Sequence, residues 1–223
     1  MASMVQQPAK IFLADKRTCY ESNEYRCLST PIHQNGANHQ IVRFSDETLA
    51  PGKSRFFTMD ENISLILIPL VGTIVYGSLE SQYSVKISPE ELQTFYLTKG
   101  SYFSIKNPSE DELVNYLQIW IKVDVTRKKI KFDNYKENVL NTILDNPYFK
   151  IHFGVLDGRT EATFSPNNTK NTVISFVING AFEIQNRLLE SRDSLVLLDI
   201  AELELESLSE NAIILILEKN SSY

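Results

Sequence analysis

The sequence predicts an all-β protein that folds as two small barrels. Short stretches rich in Val, Ile, Leu and aromatic residues recur along the chain between turn residues, as expected for β-strands. The two halves also resemble each other, because an apolar stretch closes on Gly72 in the first half and a similar one closes on Gly180 in the second. Short strands combined with a twofold internal repeat favour two barrels over a single sandwich.

Strand signals in the first half fall into four stretches. Residues 41–44 (Ile-Val-Arg-Phe) are rich in β-forming side chains, and the turn sequence Ala-Pro-Gly follows at 50–52. Residues 65–68 and 72–76 lie on either side of a short break, and residues 116–123 are again rich in β-forming side chains. The first half therefore contains enough predicted strands for a barrel of its own.

One stretch, residues 134–146, predicts a helix. Asn134 and Glu137 have the spacing of a capping box, and Pro147 ends the segment. Four apolar side chains share one helical face: Val139, Leu140, Ile143 and Leu144. The Ser-Pro-Glu-Glu sequence at 88–91 is compatible with a second helix start and equally with a tight turn.

The second half repeats the strand-rich pattern. Residues 172–178 and 181–184 flank an Asn-Gly turn at 179–180, which is the strongest short hairpin signal in the chain. Residues 201–208 alternate glutamates and leucines, as expected for a strand with one exposed face. Residues 213–217 are continuously apolar, a pattern typical of a strand buried on both faces.

We place the boundary between the barrels after Arg127. Residues 1–127 then form the N-terminal barrel, and residues 128–223 form the C-terminal barrel. The basic run at 127–129 and the predicted helix both fall in the linker region, where we interpret the basic run as solvated.

Composition limits the classes of function. The chain has 223 residues, of which 43% are apolar, so it is long enough to bury real cores. Its formal charge of −6 gives no electrostatic reason to expect nucleic acid or an anionic membrane as a partner. The absence of a Gly-x-Ser-x-Gly elbow and of a phosphate-binding glycine loop removes two common signatures of catalysis.

Several local features indicate a cytoplasmic protein. Residues 1–10 lack the apolar segment of a secretory signal, and the longest apolar run, 65–71, is too short to span a membrane. Cys19 and Cys27 have a spacing compatible with a disulfide, but two cysteines make no disulfide framework. We therefore expect two reduced thiols in the cytoplasm.

Four segments together resemble the pirin family of bicupin proteins, whose bacterial members include quercetin 2,3-dioxygenases. They are residues 87–93 (Ile-Ser-Pro-Glu-Glu-Leu-Gln), Gly100, residues 107–109 (Asn-Pro-Ser) and residues 117–121 (Leu-Gln-Ile-Trp-Ile). The similarity is strongest over residues 39–123, and the second half matches mainly in its strand layout. The resemblance implies two tandem cupin-like barrels of the double-stranded β-helix type.

The metal-ligand positions of that family do not keep their residue types here. Active pirins hold an iron-like metal with two pairs of ligands. A His-x-His pair comes before the glycine that corresponds to Gly72, and a His-x-Glu pair comes after the glycine that corresponds to Gly100. Counting from Gly72 and Gly100, these positions fall on four other residues: Thr58, Asp60, Phe103 and Ile105. Phe and Ile donate no lone pair, so at most two ligands remain, too few to hold a transition metal. The resemblance therefore implies a degenerate site with no metal and no other cofactor.

The histidines elsewhere do not replace the missing ligands. The chain has three, His33, His39 and His152, and none lies between Pro51 and Val123. His33 and His39 flank a polar stretch typical of a surface loop, whereas His152 lies in an apolar strand. We interpret all three as structural or surface residues.

Three hypotheses about function stay open. The first is a pirin-like protein without a metal site that binds an apolar small molecule or a protein partner, with the four former ligand positions lining its pocket. The second is a metal-dependent, quercetinase-like dioxygenase with an atypical ligand set. The third is a structural protein without a ligand. Adjacent Asp60 and Glu61 would point to opposite faces of a strand, so we assign no catalytic residue.

Overall fold

The computed structural model describes residues 9–32 and 40–220, and within them it is built from strands. The all-β prediction is confirmed. None of the described segments forms a helix that is long and apolar enough to cross a bilayer. His33 and His39, with the loop predicted between them, lie outside the described residues.

The strands follow one another along the chain, with a 3₁₀ turn at Ala14–Lys16. In chain order they are β1 (Ala9–Phe12), β2 (Thr18–Glu21), β3 (Tyr25–Ser29), β4 (Ile41–Leu49), β5 (Ser54–Thr58), β6 (Ile63–Val71), β7 (Ile74–Ser78), β8 (Ser84–Ile87), β9 (Glu91–Leu97), β10 (Tyr102–Lys106), β11 (Val114–Ile121), β12 (Lys128–Lys131), β13 (Asn141–Asp145), β14 (Phe149–Leu156), β15 (Glu161–Phe164), β16 (Thr172–Asn179), β17 (Phe182–Ile184), β18 (Leu188–Leu189), β19 (Ser194–Leu197), β20 (Leu203–Ser207) and β21 (Ala212–Lys219).

The chain forms two barrels, each made of two sheets. In the first barrel the large sheet has the order β12-β9-β6-β11-β4-β3-β2, and the small sheet has the order β5-β10-β7-β8. In the second barrel the corresponding orders are β1-β19-β16-β21-β14-β13 and β15-β20-β17-β18. The two topologies match strand for strand over most of their length, so the internal repeat seen in the sequence is a repeat of the fold. In each barrel an apolar core fills the space between the two sheets.

The Asn-Gly hairpin predicted at 179–180 is wrong. Strand β16 belongs to the large sheet and β17 to the small one, and the two do not pair with each other. Asn179 stays in the strand and only Gly180 has a positive φ, of 80°, whereas a two-residue type I′ hairpin needs positive φ at both positions. Gly72, with φ of 70°, lies at the corresponding crossing from β6 to β7. The repeated glycine therefore marks the place where the chain changes sheets.

The predicted helix at 134–146 is also wrong. Residues 133–140 form turns, and β13 pairs with β14. The Asn141 side chain holds the turn, since it accepts a bond from the Lys136 N–H (2.9 Å) and donates to the Lys136 and Val139 carbonyls. An irregularity between Thr142 and Leu144 lets the adjacent Ile143 and Leu144 both become buried. The bulge accounts for the adjacent apolar pair Ile143 and Leu144, whereas Val139, which was assigned to the same helical face, is exposed.

The boundary between the barrels differs from the predicted one. The compact units are residues 17–133 and residues 9–16 with 134–220. Strand β12 pairs with β9 in the first barrel, where Lys129 forms an ion pair with Glu91 at 2.9 Å. The basic run predicted to be a solvated linker is therefore partly an edge strand, and the chain passes to the second barrel after Asp133.

The two cysteines lie on neighbouring strands but on opposite faces. Cys19 on β2 stands opposite Leu28, and Cys27 on β3 stands opposite Tyr20, so the two side chains point away from each other. Cys19 is exposed, Cys27 is buried, and both are free thiols. The expectation of two unpaired thiols is confirmed.

Candidate functional site

The four positions singled out in the sequence do not form one site. Phe103 and Ile105 are fully buried on β10 and belong to the core of the first barrel. Thr58, at the end of β5, and Asp60, just after it, are exposed. Strand pairing places Thr58 opposite Tyr102, which is itself exposed, so this pair lies on the outer face of the small sheet.

The residues of β5 that face the interior are Arg55 and Phe57. Phe57 stands opposite Phe103, and Arg55 stands opposite Ile105. Because side chains alternate along a strand, these two positions point inward when Thr58 points outward. The structure thus brings together Arg55, Phe57, Phe103 and Ile105, of which the sequence analysis found only the last two.

Aromatic rings fill the interior around these positions. The Phe57 and Phe103 rings stack with centroids 5.0 Å apart, and Tyr76 lies 5.6 Å from Phe103 and 3.8 Å from Phe95. Burial in this apolar environment raises the pKa of the Tyr76 hydroxyl to about 12. The part of the first barrel around Phe103 is therefore packed with side chains.

A site of three imidazoles and one carboxylate does not fit these side chains. Phe and Ile offer no lone pair, and the guanidinium of Arg55 is a donor that stays protonated. Throughout residues 9–32 and 40–220, no group of three or more His, Cys, Asp or Glu side chains is placed to hold a metal ion. The side chains at Arg55, Phe57, Phe103 and Ile105 therefore do not match a donor set of three imidazoles and one carboxylate.

The interior instead contains a buried carboxylate held by two arginines. The side chain of Glu47, on β4, has no solvent exposure. Its Oε1 accepts from Nη2 of Arg43 at 2.6 Å, and its Oε2 accepts from Nη1 of Arg55 at 2.7 Å. Since Glu47 belongs to the large sheet and Arg55 to the small one, this ion pair joins the two sheets of the barrel.

Three neutral side chains complete the coordination of Glu47. Ser45 donates to Oε1 at 2.8 Å, and the Tyr116 hydroxyl donates to Oε2 at 3.2 Å. The Gln118 amide, oriented by its hydrogen bonds, donates to Oε1 at 2.9 Å and accepts from the Trp120 indole N–H at 2.8 Å. We call Glu47, its two arginines and these three donors the Glu47 cluster. Every lone pair that the carboxylate presents has a donor nearby.

The electrostatics of the cluster keep Glu47 ionised. Burial would raise the pKa of its carboxyl, but the charges of Arg43 and Arg55, with hydrogen bonds from Ser45 and Arg43, outweigh burial and lower that pKa. Burial and the Glu47 charge raise the pKa of Tyr116 well above its usual value. Burial, followed by the Glu47 charge, also raises the pKa of the neighbouring Cys27 thiol. At neutral pH the cluster therefore contains one carboxylate, two guanidiniums and a neutral Tyr116 hydroxyl, and the adjacent Cys27 thiol is neutral as well.

The two arginine side chains, unlike that of Glu47, are partly exposed to solvent. The Arg43 side chain is 22% exposed and that of Arg55 is 20% exposed. Arg43 lies 5.0 Å from the Trp120 ring centre, and Arg55 lies 4.2 Å from that of Tyr25. Both also lie beside Phe57, at 5.5 and 5.0 Å. Two positive charges against one negative charge leave a net charge of +1 among aromatic rings.

Sequence reasoning missed the cluster, although a signal for it exists. Arg43, Ser45 and Glu47 alternate with other residues along β4, which places all three on one face of a central strand. Charged residues on the inner face of a buried strand are unusual, and they require partners. The partner Arg55 comes from another sheet, so only the folded structure identifies it.

His152 is the one histidine among the described residues, and it lies outside this site in the second barrel. It is buried on β14, its Nδ1 lies 3.1 Å from the Thr142 hydroxyl, and its ring lies 4.5 Å from that of Phe164. Burial, together with the charge of Lys150, lowers its pKa to about 4. His152 is a structural histidine, as the sequence predicts.

Comparisons with solved structures agree with the two-barrel architecture. The bacterial pirin YhhW from Escherichia coli in complex with nickel(II) has a TM-score of 0.76 and 14% identity, over 95% of this chain and 99% of its own. A quercetin 2,3-dioxygenase from Acinetobacter baumannii has a TM-score of 0.74 and 13% identity, over 95% of this chain and 85% of its own. YhaK from Escherichia coli has a TM-score of 0.70 and 17% identity, over 96% of this chain and 94% of its own.

At this level of identity the comparisons concern the fold. No protein-family model matches the sequence, and no curated relative matches it. Full-length agreement with these structures, together with the matching strand orders of the two halves, gives the architecture. The chain has a pirin-like bicupin fold with two cupin-type barrels in tandem.

Proposed function

We propose that this pirin-like protein works without a metal in its first barrel and acts by binding a small molecule. The observation that carries the proposal is the Glu47 cluster. Its Arg55 lies on β5 opposite Ile105 of β10, and the next inward position of β5, Phe57, lies opposite Phe103. The inward positions of β5 and β10 carry cationic and apolar side chains, whereas a metal site would need imidazoles and carboxylates there. The family's metal-ligand motif is, in this proposal, replaced by an internal ion pair.

The geometry favours a polar ligand over an apolar one. Phe103 and Ile105, which the sequence suggests as the lining of an apolar pocket, are buried in the core and present no surface to a ligand. The side chains of Arg43 and Arg55 are instead partly exposed, and their guanidiniums carry hydrogen-bond donors. A protein partner and a cytoplasmic location remain expectations from the sequence.

A second candidate function is a metal-dependent dioxygenase with an atypical ligand set. It is favoured by the likeness of the fold to structures of quercetin 2,3-dioxygenases. Exposed Asp60 would be one of its few available carboxylates near the end of β5. Fold similarity alone does not transfer an activity, because unrelated functions share folds.

Elemental analysis separates the two candidates. The purified full-length chain, incubated with Fe(II), Ni(II) or Zn(II) and then desalted, should retain only substoichiometric metal. Aerobic incubation of each sample with quercetin should leave the absorption spectrum of the flavonol unchanged.

Stoichiometric metal together with quercetin consumption would overturn the proposal. The variant Asp60→Asn, compared with Asp111→Asn as an exposed carboxylate elsewhere in the barrel, would then test the ligand assignment. Loss of metal in the first variant alone would support a dioxygenase centred near Asp60.

A further inference from the structure

The Arg43 and Arg55 side chains form a partly exposed site whose positive charge Glu47 does not fully neutralise. Both bind the same Glu47 carboxylate, one to each oxygen, and both lie beside the Phe57 ring. They therefore lie side by side. We refer to them as the arginine pair.

The arginine pair keeps free hydrogen-bond donors. Arg43 uses Nε for the Ser45 hydroxyl (3.0 Å) and Nη2 for Glu47 and the Cys27 sulfur, which leaves Nη1 without an acceptor among the described residues. Arg55 uses Nη1 for Glu47, and its guanidinium lies close to the Cys27 thiol. A guanidinium has five N–H donors, so both side chains retain donors that have no acceptor among the described residues.

Charge balance gives a second, independent reason for a ligand. The pair has one more positive charge than Glu47 neutralises, and about four-fifths of each arginine side chain is removed from water. A partly desolvated charge without a partner is unfavourable, so an anion that binds here recovers Coulomb energy. Neighbouring Tyr116 and Cys27 stay neutral and do not supply the missing negative charge.

The walls of the site indicate the shape of that anion. The Tyr25 ring lies beside the guanidinium of Arg55 and the Trp120 ring beside that of Arg43, and both aromatic residues are half-buried. A planar carboxylate matches the geometry of guanidinium donors, and an attached flat apolar group can pack on the rings. We propose that the arginine pair binds the carboxylate of a small organic acid with an aromatic or other flat apolar body. This inference rests on the proposed function, because it gives the ligand class of the same metal-free site.

Trp120 provides a direct measurement, since it is the single tryptophan of the chain and contacts Arg43. Full-length protein at fixed ionic strength is titrated with benzoate while tryptophan fluorescence is recorded with excitation at the red edge. Benzoate should change the fluorescence with saturation, whereas its neutral isostere benzamide should not. Inorganic phosphate, which also carries charge but has no flat apolar group, should bind more weakly than benzoate.

Two conservative variants test the arginine pair, and a third serves as a control. Arg43→Lys and Arg55→Lys keep the positive charge beside Glu47 and so retain the internal ion pair, but lose the additional donors. Each should weaken benzoate binding by roughly tenfold or more, the effect of losing a charge-assisted hydrogen bond. Arg26→Lys, at an exposed position on β3, should leave the affinity unchanged.

Several outcomes would overturn the inference. Equal responses to benzoate and benzamide would show that charge plays no part, and tighter binding of phosphate would rule out a carboxylate as the preferred anion. A saturable benzoate response that survives both lysine variants would place the binding site elsewhere. The metal analysis described above is independent of these titrations. If the wild-type protein retains no metal and its fluorescence does not respond to benzoate, the proposed ligand class is refuted. The metal-free assignment then stays in place.

Discussion

In the interior of the first barrel, Arg43 and Arg55 balance the charge of Glu47. A carboxylate with no solvent exposure is tolerated only when its charge and all its lone pairs are satisfied, and here five side chains do this. Removal of the carboxylate would leave two guanidiniums without their shared partner. The cluster is therefore sensitive to any change at this one residue.

The variant Glu47→Gln should lower the free energy of unfolding of the first barrel by about 3 kcal/mol, the usual cost of breaking a buried ion pair from one side. Urea unfolding followed by Trp120 fluorescence measures the change. Glu24→Gln is the matched control, since Glu24 pairs with Lys53 at 2.8 Å but both side chains are about half exposed. It should cost less than about 1 kcal/mol. Equal effects of the two variants would contradict the assigned role of Glu47.

At the scale of the strands, the crossing glycines set the barrel geometry. Gly72 has a positive φ where β6 passes into β7, and a Cβ there would lie 2.7 Å from Cγ1 of Val114. Gly100 also has a positive φ, of 90°, but a Cβ at that position would meet no atom within 4 Å. Both glycines thus have a positive φ, but only Gly72 packs closely against a neighbouring strand.

The comparison predicts different costs for the same substitution. Gly100→Ala should destabilise the first barrel by about 1 kcal/mol, since only the positive φ is unfavourable for alanine. Gly72→Ala should cost at least about 1 kcal/mol more, because the added methyl group also overlaps Val114. Both variants can be measured by urea unfolding with Trp120 as the probe. A Gly72→Ala variant as stable as Gly100→Ala would show that the crossing has room to adjust.

For the molecule as a whole, His152 predicts how the second barrel responds to acid. Its pKa is about 4 in the folded chain and about 6.5 in the unfolded chain, with Lys150 and Asp145 as the charged groups that act on it. Between these values the unfolded state binds a proton that the folded state does not, so the folded state loses stability as the pH falls. The contribution is complete above pH 6.5 and is lost as the pH falls to about 4.

From pH 7 to pH 5 this linkage should remove about 2 kcal/mol from the free energy of unfolding. Urea unfolding followed by far-ultraviolet circular dichroism at the two pH values measures it. His152→Gln removes the titrating group and should abolish that part of the pH dependence, while the other two histidines are common to both proteins. An identical pH dependence in the variant would contradict the buried, neutral state of His152.

The sequence by itself determined the fold class and the twofold repeat. Alternation at 201–208 and the apolar run at 213–217 correspond to β20 and β21, because side-chain periodicity along a strand is a local property. Gly72 and Gly180 were found for the same reason, since positive φ favours glycine wherever the chain bends sharply. The resemblance to pirins, based on short local motifs, likewise predicted the bicupin architecture that the solved structures share.

Only the tertiary structure decided which residues meet. Whether 179–180 forms a hairpin or a crossing depends on which sheet each flanking strand joins, and the bulge at 142–144 imitates a helical face until its partner strand is known. The inward-facing pair of β5 is Arg55 and Phe57 because pairing with β10 fixes the register, and counting along the chain does not. The Glu47 cluster arises from the same cause, since its ion pairs join strands that are distant in sequence.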